Sequence, residues 1–94
     1  MNDQLLADRL KALAHPARLA ILRVLANRGR CVCGEVVEVM PLAQATVSQH
    51  LKILRDAGLI EAECDGAATC YMLNQHSLDW LHEQLSDLAF WTAP

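Results

Sequence analysis

The chain has 94 residues, 53% of them hydrophobic and only 4% aromatic, which allows one compact domain, spanning 1–94, with an aliphatic core. A domain this small hides only about 60–65% of its unfolded surface, so help from a second copy is expected. The net charge of −3 excludes a broadly basic surface, and no apolar run approaches the roughly 20 residues of a membrane span, so a cytoplasmic protein is expected.

Charge is unevenly spread. Arg9, Lys11, Arg18, Arg23, Arg28 and Arg30 crowd the first third, and beyond Cys31 only Lys52 and Arg55 are basic. A local cationic face remains compatible with the acidic total. The four cysteines, Cys31, Cys33, Cys64 and Cys70, point in a reducing compartment to metal, metalloid or redox chemistry rather than to structural disulfides.

In chain order, Leu6, Leu10 and Leu13 recur at helical spacing and predict an amphipathic helix over 4–14. "HPARLAILRVLANRG" predicts a second helix, opened at Pro16 and stopped at Gly29, with Ile21, Leu22 and Leu25 inward. "GEVVEVM" is a short helix ended by Pro41, and "AQATVSQHLKILRDAG" a longer one with Val47, Leu51 and Leu54 inward. Two short helices in tandem, the second polar on its outer side, form a helix-turn-helix. "LIEAECDGAATCYML" alternates around a turn cluster and predicts a β-hairpin. Leu78, Leu81, Leu85 and Leu88 then form a narrow stripe suited to a helix–helix seam. The expected fold is mainly α with a small hairpin (α+β): a winged helix-turn-helix flanked by terminal helices.

The 3.6-residue period turns Gln44, Ala45, Ser48, Gln49 and Lys52 outward. Glutamine pairs bidentately with adenine in the major groove, serine bonds bases or phosphate, and lysine favours phosphate. Gln44, Ser48 and Gln49 are therefore the expected base readers, with Thr46 and Arg55 on the backbone. His50, on the inward flank, is expected to pack or hydrogen bond. The hairpin carries Glu61, Glu63 and Asp65 and no cation, so phosphate contacts would fall to Arg18, Arg28, Arg30, Lys52 and Arg55.

Thiolates suit thiophilic ions such as Cu(I) and Zn, and by the same logic As(III) and Sb(III), which favour three sulfurs. On a strand, Cys31 and Cys33 would share a face with Val32 opposite. A short strand here, laid beside the second hairpin strand with Tyr71 and Leu73 inward, would bring Cys31, Cys33 and Cys70 together on the outer face, near Met72. Cys64 is a weaker ligand candidate. It flanks "DGAAT" opposite Cys70, so the two could instead form a reversible disulfide and make the hairpin a redox switch. His76, Asp79, His82 and Glu83 read as solvated surface.

"LKALAHPARLAILRVLANRG", "LAQATVSQHLKILRDAGLI" and "CYMLN" together resemble the ArsR/SmtB family of metal- and metalloid-responsive repressors over nearly the whole chain. The resemblance implies a homodimer that binds double-stranded operator DNA, an inverted repeat, and releases it when an inducer binds. It implies dimer contacts from the first and last helices, at Leu6, Leu10, Leu13, Leu78, Leu81, Leu85 and Leu88. It also implies As(III)/Sb(III) as inducer, although Val36 stands where some arsenite sensors carry a third cysteine; no organic cofactor is expected, and no acid/base or nucleophile–base set in the sequence points to an enzyme. The competing readings are a thiol-redox or reactive-sulfur sensor using the same cysteines, and a winged-helix interaction module that does not bind DNA.

Overall fold

The computed structural model describes residues 2–88 and Phe90. The span 1–94 therefore reaches beyond the described residues at Met1, Ala89 and residues 91–94. The elements run α1 (Asp3–Leu13), α2 (Pro16–Arg28), β1 (Cys31–Val32), α3 (Cys33–Glu38), α4 (Gln44–Asp56), β2 (Ile60–Asp65), β3 (Ala68–Leu73) and α5 (Gln75–Ser86). This is the winged helix-turn-helix expected, with α3 and α4 as the motif and β2–β3 as the wing. No helix among the described residues is long and apolar enough to cross a membrane.

Local chemistry sets the boundaries. Asn2 caps α1 by accepting the Leu5 N–H at 3.0 Å. The His15 ring caps α2, its Nδ1 accepting the Ala17 N–H at 3.0 Å, with Pro16 in the first turn where a missing N–H costs nothing. Gly29, at φ 84°, ends α2 by donating its N–H to Leu25 O. The last helix starts earlier than the leucine stripe: Asn74 Oδ1 accepts the Ser77 N–H at 3.1 Å, so Ser77 lies inside the first turn and is buried.

The three strands form an antiparallel sheet in the order β1-β3-β2. Its inner face joins Ile21 and Leu25 of α2, Val36 of α3 and Val47, Leu51 and Leu54 of α4 in one core. Each of these six helical side chains is fully sequestered from solvent. The leucine stripes of α1 and α5 serve this core as well. Leu6 and Leu81 are only 5% and 4% exposed within the single chain. Both were expected at a dimer seam; intrachain packing claims them because α1 and α5 lie against each other. Leu10, Leu13, Leu78, Leu85 and Leu88 are half-buried against the same cluster and keep an outer edge.

A further tie joins α1 to the end of α4. Arg9 donates from Nε to Ala57 O at 3.2 Å, and its guanidinium lies over the Trp80 ring at 4.9 Å. The contact satisfies a carbonyl that a helix C-terminus leaves open. It lies against Gly58, whose φ is +79° and whose missing Cβ would stand 3.2 Å from Arg9 Nη2. Gly58→Ala is therefore expected to lower stability by about 1–2 kcal/mol through left-handed strain and a displaced Arg9. Urea unfolding checks this; a variant as stable as the parent would show that the tie carries no weight.

Candidate functional site

Helix α4 presents two sides of opposite character. Val47, Leu51 and Leu54 point into the core, and Gln44, Ala45, Thr46, Ser48, Gln49, Lys52 and Arg55 are all exposed. Nothing among the described residues covers this polar strip. Amide, hydroxyl and cationic groups so spaced along one helix can meet base edges and the flanking phosphates.

The cations around it are differently engaged. Arg18 is turned inward: its Nε donates to Ala12 O and its Nη1 lies 3.4 Å from His50 Nδ1. The structure thus corrects the expectation that Arg18 serves phosphate, because α2 packs against α4 and holds the guanidinium between them. His50 is half-buried and hydrogen-bonds inward, as its position on the inward flank predicts. Lys52 pairs with Asp56 at 2.9 Å and Arg30 with Glu63 at 3.1 Å, both between exposed side chains. Such pairs are worth only about 0–1 kcal/mol, so a phosphate can take either cation from its partner. Arg28 and Arg55 are exposed with no ion pair among the described residues.

The cysteines do not meet as expected. The register pairs Cys31 with Tyr71 and Val32 with Cys70. Directly paired residues share a face and neighbours in sequence alternate, so Cys31 faces the core with Tyr71 while Cys70 faces out with Val32. Cys31 is only 1% exposed. Cys33 leaves the strand altogether, because α3 begins there, stabilised by Glu35 Oε1 accepting the Val32 N–H at 3.0 Å. The sulfurs of Cys31, Cys33 and Cys70 are therefore not gathered on the outer face, and no group of three His, Cys, Asp or Glu among the described residues is arranged to hold a metal ion. The disulfide alternative meets the same obstacle of parity. Cys64 pairs with Thr69 and Glu63 with Cys70, placing Cys64 and Cys70 on opposite faces; all four cysteines are free thiols.

Two local environments distinguish the thiols. Burial pushes the Cys31 pKa up, Glu35 and Cys70 add to the rise, and Arg28 opposes it. Cys70 lies on the outer face beside Arg30, whose own pKa is raised first by that thiol and then by Glu63. Exposed His76, Asp79, His82 and Glu83 form no convergent set. Two features were not legible in the sequence: the Arg9–Ala57–Trp80 tie and the contact of His15 with His50, whose ring centroids are 4.6 Å apart. Their partners lie far apart in the chain, and the sequence marks His15 only as the boundary between two helices.

A helix-turn-helix domain family model matches residues 13–63. The chain is 45% identical over 71 residues to the transcriptional repressor SmtB of Mycobacterium tuberculosis, covering 76% of this chain and 52% of that protein. It is thus similar to about half the length of that relative. The arsenical resistance operon repressor of Bacillus subtilis is 42% identical over 75 residues, covering 79% of this chain and 70% of that protein. Among solved structures, the homodimeric winged helix-turn-helix DNA-binding domain of a possible ArsR-family regulator from Mycobacterium bovis superposes with a TM-score of 0.75 at 28% identity, over 88% of this chain and 76% of that one.

Proposed function

Because the chain belongs to the ArsR/SmtB family of winged-helix transcriptional regulators, a family of DNA-binding proteins and not enzymes, we propose that it is a homodimeric repressor of the cytoplasm. Its operator is a double-stranded inverted repeat, and a thiophilic inducer of the As(III)/Sb(III) class relieves repression. The observation that carries the DNA-binding part is the uncovered polar strip of α4 held rigid by three fully buried side chains. In this reading Gln44, Ser48 and Gln49 read bases, Ala45 lets the helix approach closely, and Thr46, Lys52 and Arg55 hold the phosphates. The half-buried edges of Leu10, Leu13, Leu78, Leu85 and Leu88 supply the seam to the second protomer.

The inducer part rests on the Cys31/Cys33 dithiol at the junction of β1 and α3. A protonated, buried thiol is a poor ligand, since the thiolate is the binding form. Capture of As(III) therefore requires Cys31 to leave the core. Strand β1 contributes only two residues to the sheet, so its release costs little ladder hydrogen bonding, and it would free Cys31 to swing towards Cys33 and Cys70. The ion and the native packing then compete for the same sulfur, and binding the ion loosens the seat of the helix-turn-helix. A ligand shifts a conformational equilibrium only by such differential affinity.

Fluorescence anisotropy with the inverted-repeat DNA nearest the coding sequence tests both parts. Fully reduced protein should bind at low salt and let go on addition of arsenite. Cys31→Ser and Cys33→Ser should each weaken the response by roughly tenfold or more, as expected for losing one of two or three sulfur ligands. Cys64→Ser should leave it intact, and Cys70→Ser reports whether a third sulfur joins. Absence of binding to any such DNA at low salt would leave only the interaction-module reading. Release by peroxide or persulfide but not by arsenite would move the trigger to redox chemistry.

A further inference from the structure

Three side chains that neither DNA reading nor inducer capture uses meet where the α1–α2 turn touches α4. The rings of His15 and His50 lie 4.6 Å apart, tilted by 48°. His15 Nδ1 accepts the Ala17 N–H at 3.0 Å, and His50 Nδ1 lies 3.4 Å from Arg18 Nη1. A backbone N–H and a guanidinium can only donate, so both imidazoles use Nδ1 as acceptor and carry their proton on Nε2. These tautomers are fixed by the partners. Adding a proton to the His50 ring must occur at Nδ1, and it converts the acceptor into a donor facing another donor. Protonation of His50 sets an imidazolium against a guanidinium that Ala12 O holds in place.

We propose that His15, His50 and Arg18 form a proton-sensitive joint that positions α4 against α2, so that acidification loosens the DNA-reading helix and weakens the hold on DNA. The functional half rests on the DNA-binding reading; the joint itself does not. Burial, then His15, then Arg18 hold His50 below the ordinary histidine pKa. Arg18 from α2 and His15 from the turn are the charged or titratable groups acting on it, and no carboxylate among the described residues offsets them. The unfolded chain therefore takes up this proton first. Stability is complete above about pH 6.5 and is lost as pH falls below that value towards the lowered folded pKa.

The sign of the effect sets it apart from simple charge. Protonating histidines adds positive charge to a DNA-binding protein and should tighten binding; the joint predicts the opposite. Operator affinity and melting temperature are to be measured at constant ionic strength from about pH 8 to about pH 5.5, the range in which histidine titrates. For the wild type, affinity should fall by roughly three- to tenfold on acidification, and melting temperature should fall in the same window. His15→Asn/His50→Gln keeps an acceptor at both places without titrating there, and should flatten both curves. Single His50→Gln should flatten them in part and carries the test should the double variant fold poorly. His76→Gln/His82→Gln, on the exposed side of α5, should keep the wild-type slopes. Affinity that rises or stays level towards acid in the wild type, or a slope that survives in His50→Gln and in the double variant, overturns the proposal. Should no variant bind DNA at any pH, the DNA-binding reading fails and melting alone decides: a slope present in the wild type and lost in the variants supports the joint, and parallel slopes overturn it.

Discussion

Leu51→Ala should cost the fold about 3–4 kcal/mol, the range of large-to-small changes at sites that cannot collapse. Leu51 is 0% exposed and shares its cluster with Ile21, Leu25, Val47 and Leu54, so helices α2 and α4 meet around it. Backbone fixed by three helices and a sheet leaves neighbours little freedom to fill the void. Small domains have a total stability of about 5–15 kcal/mol, so the variant would sit near the edge of folding. Its denaturation midpoint should fall sharply with the slope unchanged. Lys52→Ala, one position on and exposed, should stay within about 0.5 kcal/mol. A loss at Leu51 of under about 1 kcal/mol would mean that α4 is not anchored as described.

Gln49→Glu should do the reverse, sparing the fold and weakening operator recognition. Gln49 is exposed and its side chain makes no hydrogen bond among the described residues, so melting temperature should not move. In the proposed complex the change removes an amide donor placed to pair with adenine and sets a carboxylate among phosphates. Loss of one bidentate pair costs about 1–3 kcal/mol, and repulsion adds to it, so affinity should drop by about a hundredfold. Titration of labelled operator DNA into both proteins gives the ratio directly. Equal affinities would remove α4 from the interface. A loss that vanishes at high salt would assign Gln49 to the phosphates rather than to the bases.

The helices were legible because their signals are local. Leucine spacing, the His15–Pro16 start and the Gly29 stop all act within a turn or two of chain. The outward strip of α4 followed from the same period, and the five residues it turns outward, Gln44, Ala45, Ser48, Gln49 and Lys52, are all exposed. The sheet was legible as an arrangement but not in its detail. A short strand beside β3 was expected and is present at Cys31–Val32. Its parity could not be read, because moving a strand by one residue exchanges its faces and two residues give no hydrophobic pattern to fix the choice. The pull of α3 on Cys33, through a Glu35 carboxylate and the Val32 N–H, competes with strand extension and wins. Arg18 illustrates a different failure. Its charge was visible, but its acceptor on His50 lies 32 positions away, and only packing brings the two together.

Arg18 faces inward, Arg30 and Lys52 each sit beside a carboxylate, and Glu61 and Glu63 line the wing. Affinity for arbitrary DNA comes almost wholly from phosphate neutralisation. With Arg18 turned inward and a carboxylate beside two of the remaining cations, the chain would hold random sequence weakly and linger on it only briefly, with short sliding runs and a search carried mainly through three-dimensional diffusion. If it acts as the repressor proposed above, little of it would be titrated away by the rest of the chromosome, and a small number of copies would suffice to keep one promoter shut.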